Sequence, residues 1–150
     1  MTERVDFYIL KSAAAKQRWI FACRLAEKAY LRNLRIVIAN DTLADAQALD
    51  ELLWTFNERA FIPHRICTDR QSADPATPIH LIVEPATAGA ADLLMNLSGR
   101  LPADWETYPR IAEIVDAGDE RRRLGRERFK SYRDRKIFLE THQLDETAEA

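Results

Sequence analysis

Arg122, Arg126, Phe129, Lys130 and Arg133 fall at i, i+4, i+7, i+8 and i+11, the spacing that puts side chains on one face of a helix. The chemistry they could do is anion capture beside an apolar surface. A guanidinium clamps a carboxylate with two parallel hydrogen bonds, and a neighbouring ring packs against an apolar side chain. The run that holds them, Arg121 to Lys136, carries nine of the 22 Lys and Arg residues but two of the 24 acids. Its net charge of +7 stands against −9 over the other 134 residues. Such a split makes a local attractor for anions on an otherwise repulsive molecule, and its ligand is nucleic acid or an acidic peptide. A solvated charged face with its aromatics turned inward fits the composition equally well. Tyr132 is the ring expected to face the core. Gly125 costs about 1 kcal/mol relative to Ala in mid-helix, which makes sense where another element packs close.

A second cluster lies in the segment from Leu52 to His64, where Trp54, Phe56 and Phe61 gather as a helix ends, with Pro63 just beyond. These rings either tuck under the loop or face a partner, for which aromatics are favoured anchors.

Other chemistry is missing. The only glycines are Gly89, Gly99, Gly118 and Gly125, so the first turn, Lys11-Ser12-Ala13-Ala14, has none. Without them the backbone cannot easily approach a pyrophosphate, which excludes a dinucleotide fingerprint and a P-loop. His64, His80 and His142 have no partner at metal-ligand spacing, and no His-Glu-x-x-His or Gly-x-Ser-x-Gly occurs. His64 reads as a structural or surface residue. Cys23 and Cys67 lack a Cys-x-x-Cys spacing and read as reduced packing residues. No enzyme activity, cofactor or metal is expected.

The elements that must position these residues read as α/β. Val5–Leu10 is an apolar strand, and Ser12 is the expected N-cap of a helix with the stripe Ala15, Trp19, Ala22, Cys23, Ala26 and Tyr30. Ile36–Ala39 is a strand covered on both faces. Thr42 and Asp45 form a capping pair for a second helix that buries Ala46, Leu49, Leu52 and Leu53. This order implies right-handed crossovers and parallel pairing. His64–Cys67 and Ile79–Val83 read as strands, Thr68 to Pro78 as an exposed loop, and Asp92–Leu97 as strand or helix. Ile111–Val115 reads as the last strand, and the basic helix runs from Asp119 to near Lys136. Residues 1–140 are expected to form one domain, and 141–150 an acidic, frayed tail. No apolar run approaches ~20 residues and no signal segment opens the chain, so a cytoplasmic protein is expected.

The chain resembles the chi subunit of bacterial DNA polymerase III, a clamp-loader accessory protein. The resemblance rests on Phe7-Tyr8-Ile9-Leu10, Leu49-Asp50-Glu51-Leu52-Leu53-Trp54, Phe61-Ile62-Pro63-His64, Glu113-Ile114-Val115-Asp116 and Arg126-Glu127-Arg128-Phe129-Lys130-Ser131-Tyr132-Arg133. It implies a single α/β domain with a mostly parallel central sheet flanked by helices, nucleotide-binding-like in topology but without a nucleotide site. The implied function is that of a non-catalytic adaptor. One surface would bind the acidic, phenylalanine-ended C-terminal tail of single-stranded-DNA-binding protein. Arg126 would pair with the terminal carboxylate, Phe129 would line the phenylalanine pocket, and Arg122 and Lys130 would meet the tail's aspartates. Trp54, Phe61 and Pro63 would bind the psi subunit. Phe129 stands where a tyrosine is expected, so a hydroxyl contact is lost. The competing expectation is a small protein that binds single-stranded nucleic acid directly through the basic helix. It predicts a steep salt dependence, and the net charge of −2 argues against it.

Overall fold

The computed structural model describes residues 1–57, 59–68, 74–83, 86 and 88–144. Its strands are β1 Arg4–Leu10, β2 Ile36–Asn40, β3 His64–Cys67, β4 Ile79–Val83, β5 Leu93–Asn96, β6 Arg110–Val115 and β7 Phe138–Leu144. They form one sheet in the order β3-β4-β2-β5-β6-β1-β7, and every pairing is parallel. Helices α1 Ala15–Leu31 and α2 Leu43–Thr55 cover one face, and α3 Asp119–Asp134 covers the other. The architecture is the expected α/β domain.

Strand alternation decides which residues meet which layer. Leu10, Ile36 and Ile38 join the core under α1 and α2, while Val5, Phe7, Val37 and Ala39 join the core that includes Tyr132 of α3. Strands β2 and β5 are buried throughout, which explains why their sequences read as continuous apolar runs rather than alternating ones. The ambiguous stretch after Asp92 is therefore a strand.

Several expectations are corrected. Strands β1 and β2 are parallel but not neighbours, because β5 and β6 lie between them. Ser12 does not cap α1. Ala14 occupies the N-cap without a side-chain bond, and the Ser12 hydroxyl accepts from the Ala14 N–H at 3.0 Å in a local turn. Ala15 is exposed rather than part of the buried stripe. Thr42 does cap α2, accepting from the Asp45 N–H at 3.1 Å.

The largest correction is at the end of the chain. Ile111–Val115 is not the last strand, because β7 follows and pairs with β1 from Phe138 to Leu144. The strand passes through residue 140, so Thr141–Leu144 belong to the sheet. The polar Glu140, Thr141, His142 and Gln143 suit an edge strand, whose residues are exposed or half-buried, but they lack the apolar run that marks an inner one. Helix α3 stops at Asp134 because Lys136 turns into the left-handed region (φ 61°) and the Ile137 N–H reaches back to Tyr132 O at 3.2 Å. Of the expected loop, 69–73 lie outside the described residues, as do 145–150 of the acidic tail.

Candidate functional site

Helix α3 is fixed to the sheet by a buried carboxylate. Glu113 on β6, wholly buried, accepts from Tyr132 Oη at 2.6 Å, Arg128 Nε at 3.0 Å and Asn96 Nδ2 at 3.0 Å. Burial, then the Glu113 carboxylate, pushes the Tyr132 phenol far above its ordinary range, so it stays a donor. One turn earlier, Gly125 lets the helix approach β6. A Cβ built there would sit 3.3 Å from Val115 Cγ2. The close packing expected from a mid-helix glycine is present.

Between α3 and the β7 edge this leaves a cleft of about 220 Å³. Its floor is Phe7 and Ile9 of β1 with Val115 of β6. Arg122, Gly125, Arg126 and Phe129 form the helix wall, and Thr141 and Gln143 form the strand wall. Phe129 meets Phe7 edge-on, with ring centroids 5.2 Å apart. Three of the residues singled out in the sequence thus share one cavity. Lys130 is exposed and outside the lining. Thr141 and Gln143 were missed because β7 was missed. Phe7 and Ile9 were recognisable from strand alternation, which sets them on one face.

The basic run divides into two kinds of cation. Arg123 pairs with Glu120 at 2.6 Å and Glu127 at 2.9 Å, Arg121 with Asp116 and Asp41 at 3.5 Å, Arg128 with Glu113, and Arg135 with Glu106. Arg126, Lys130 and Arg133 have no ion pair among the described residues. Arg122 donates through Nη2 to Leu10 O at 3.4 Å, while its buried Nε has no partner. Of the cations without carboxylates, Arg122 and Arg126 line the cleft, whereas Lys130, Arg133 and Lys136 lie outside its lining.

In open α/β sheets, ligands usually bind beyond the carboxyl ends of the strands. Here that crevice is filled by the chain's own charges. Arg18, almost fully buried, lies 3.4 Å from Asp116 and donates to Leu97 O, and Arg121 donates to the same carbonyl at 3.2 Å. Burial, then the nearby Arg121, draws the Arg18 pKa down to about 10. A space of about 10 Å³ remains between Ser98, Gly99, Arg121 and Arg128. Arg18 carried no sequence signal, since it reads as one more polar residue on α1.

On the reverse face, Asp6, Glu140 and His142 bring potential ligand atoms within 4.8 Å of one another. Arg4 donates to both carboxylates, Arg110 lies 3.5 Å from Asp6, and His142 Nε2 lies 3.0 Å from it. The cluster is a charge-balanced brace holding β7 to β1.

The second aromatic cluster sits at the opposite edge of the sheet. Trp54 is 41% exposed and Phe61 75% exposed, with ring centroids 5.3 Å apart, and Pro63 beside them is half-buried. Phe56 instead packs on the core. His64 is the brace beneath: Nδ1 meets Ile62 O at 2.7 Å and Nε2 meets Asp50 O at 2.9 Å, while Trp54 covers the ring at 4.1 Å. Cys23 and Cys67 are both buried, and burial pushes the Cys23 thiol up to about 12.

Residues 1–140 match the family described as DNA polymerase III chi subunit, HolC. The DNA polymerase III subunit chi of Pseudomonas aeruginosa is 34% identical over 141 residues, covering 94% of this chain and 96% of that one. Its counterpart in Haemophilus influenzae is 27% identical over 134 residues, covering 89% and 92%. Among solved structures, the crystal structure of T4 UvsW superposes on 97% of this chain with a TM-score of 0.66 and 8% identity. The chain spans 42% of that protein, and the likeness is one of fold.

Proposed function

The chain belongs to the DNA polymerase III chi subunit family, and on that premise we propose that it is a non-catalytic cytoplasmic adaptor of the replicative polymerase. Its α3–β7 cleft captures the acidic, phenylalanine-ended tail of single-stranded-DNA-binding protein. Its Trp54–Phe61–Pro63 corner binds psi and so joins the clamp loader.

The observation that carries this reading is the pairing of an apolar floor with a guanidinium that has no carboxylate of its own. Phe7, Val115 and Phe129 line a cavity of about 220 Å³, and exposed Arg126 stands on its wall. Small-molecule sites usually span ~300–1,000 Å³, so this cavity suits one anchoring side chain of a peptide. Arg126 then meets the terminal carboxylate, with Arg122 and Lys130 beside it for the tail's acids.

Direct nucleic-acid binding by the basic run is less favoured. Arg121, Arg123, Arg128 and Arg135 are already paired with carboxylates of this chain, which leaves a short cationic strip instead of a track along a phosphate backbone.

Titrating a fluorescent acidic peptide that ends in Phe tests the assignment. Arg126→Ala is expected to weaken binding by roughly ten- to a hundredfold, the scale of a lost hydrogen bond to a charged group, and affinity should fall as salt rises. Equal affinities for wild type and variant would refute it.

A further inference from the structure

We propose that a pocket on the reverse face of the sheet, between the end of α1 and strands β1 and β6, is a second seat for an acidic peptide with an apolar side chain. The inference rests on the peptide-capture reading above for its probe, and deepens it by giving the same class of partner two seats on one chain.

Alternation along β1 builds both seats. Phe7 and Ile9 floor the α3–β7 cleft, while Asp6 and Tyr8 line a pocket of about 240 Å³ on the opposite face. The two cavities are thus nearly equal in size and lie back to back across one strand. Leu25, Leu34 and Leu93 supply the apolar lining of the second pocket, and the exposed cations Lys28, Arg32 and Arg110 complete it. An apolar floor beside cations is the same combination that the cleft presents.

Charge selects the occupant. Lys28 and Arg32 make no ion pair among the described residues. The end of α1 does not occupy them, because its last carbonyls are satisfied by backbone. The Arg32 and Leu34 N–H groups reach Ala29 O at 3.1 Å, and the Asn33 N–H reaches Tyr30 O at 2.9 Å. Asp6, the one acid in the lining, is engaged by Arg4 at 3.0 Å and His142 at 3.0 Å, with Arg110 at 3.5 Å. Tyr8 adds a neutral donor whose hydroxyl makes no hydrogen bond among the described residues. Its ring is held by Phe21 and His142, with centroids 5.1 and 4.7 Å away. Burial, then the Asp6 charge, raises its phenol, so the proton stays on. Cations and a phenol beside three leucines suit a carboxylate carried next to an apolar side chain. A bare phosphate would leave the leucines uncovered. A partner that presents two tails is then held at both seats, the second at an effective concentration in the millimolar range.

The test titrates the full chain with the Phe-ended acidic peptide at low salt and follows two sets of NMR signals. The Tyr8 ring and Leu34 methyls report on this pocket, and the Phe129 ring reports on the cleft. Both sets are expected to shift, with two peptides bound per chain. In Arg126→Ala the Tyr8 and Leu34 shifts should persist with unchanged affinity. In Lys28→Ala/Arg32→Ala that affinity should fall by roughly two- to thirtyfold, the scale of two exposed charge pairs, while the Phe129 response stays. Tyr8→Phe, which keeps the ring and removes the donor, should weaken this seat alone when followed at Leu34. Tyr8 and Leu34 signals that do not move up to millimolar peptide overturn the second seat and leave the cleft untouched, as do shifts indifferent to the loss of Lys28 and Arg32. Shifts that inorganic phosphate reproduces at equal concentration overturn it too, because the pocket would then be a phosphate site. A response here with a silent Phe129 ring would keep this seat and refute capture at the cleft instead.

Discussion

At the β7 edge the exposed chemistry is charge held above a small apolar floor, whereas at the β3 edge it is aromatic surface. The two lie at opposite ends of a seven-stranded sheet, roughly 29 Å apart at ~4.8 Å per strand. The cleft is built by buried polar contacts behind it: Glu113 holds Arg128 and Tyr132, and Gly125 brings α3 down on Val115. The aromatic corner needs less construction, since His64 braced against Ile62 and Asp50 supports Trp54. A preorganised cleft suits a short flexible peptide, for which ordering costs are high. An exposed ring pair suits the core of a larger interface. Two sites so far apart would let the proposed adaptor hold both partners without steric conflict.

The strongest way to break this contrast is to remove the support of one site. Glu113→Ala leaves Arg128, Tyr132 and Asn96 facing a buried void. It should cost about 3–5 kcal/mol, the scale for orphaning a buried ion pair, as measured by chemical denaturation. A loss below about 1 kcal/mol would mean that α3 is held mainly by apolar packing. Arg126→Ala, by contrast, should spare stability while weakening peptide binding, because Arg126 is exposed and makes no ion pair among the described residues.

A sharper test of the other edge follows from its exposure. Phe61→Ala should leave the melting temperature nearly unchanged, since exposed side chains seldom contribute more than about 0.5 kcal/mol. It should weaken psi binding by about 2 kcal/mol if the ring is an interface anchor, measured by calorimetry with psi. Peptide capture at the cleft should not change. Retained psi binding in the double variant Trp54→Ala/Phe61→Ala would remove this corner from the proposed interfaces.

The same two edges show what was legible in the sequence. Strands β1, β2, β4 and β6 announced themselves as apolar runs while the short β5 run read as strand or helix, and Thr42–Asp45 marked the start of α2 through a capping bond that is present at 3.1 Å. The α3 face was legible because helical spacing is fixed, so Arg122, Arg126 and Phe129 had to align. Strand β7 was not legible. Its pairing with β1 joins residues more than 130 positions apart, and its stability comes from contacts such as Asp6–His142 that no local pattern encodes. Arg18 was hidden for a similar reason, since its burial depends on Asp116 and Leu97, which lie just past the ends of β6 and β5. Half of the cleft wall therefore lay beyond sequence reasoning.

The smallest expected effect concerns that hidden strand and separates the edges by pH. Burial opposes ionisation of Asp6, but hydrogen bonds from Arg4 and His142, with the charges of Arg4 and Arg110, outweigh it and hold the carboxyl below its usual range. A carboxyl whose pKa is depressed on folding adds stability above its unfolded value of about 3.9, and loses it as pH falls through the folded value. Asp6→Asn should therefore destabilise by about 1 kcal/mol at neutral pH, with the gap to wild type closing below about pH 4. Amide exchange should locate the loss, because Asp6 braces β7 through His142, and β3 is six strands away. Faster exchange along β7 with unchanged protection at β3 is the expected pattern. A gap that persists undiminished at pH 2.5 would show that Asn disturbs packing instead of removing a charge, and the brace would then owe little to electrostatics.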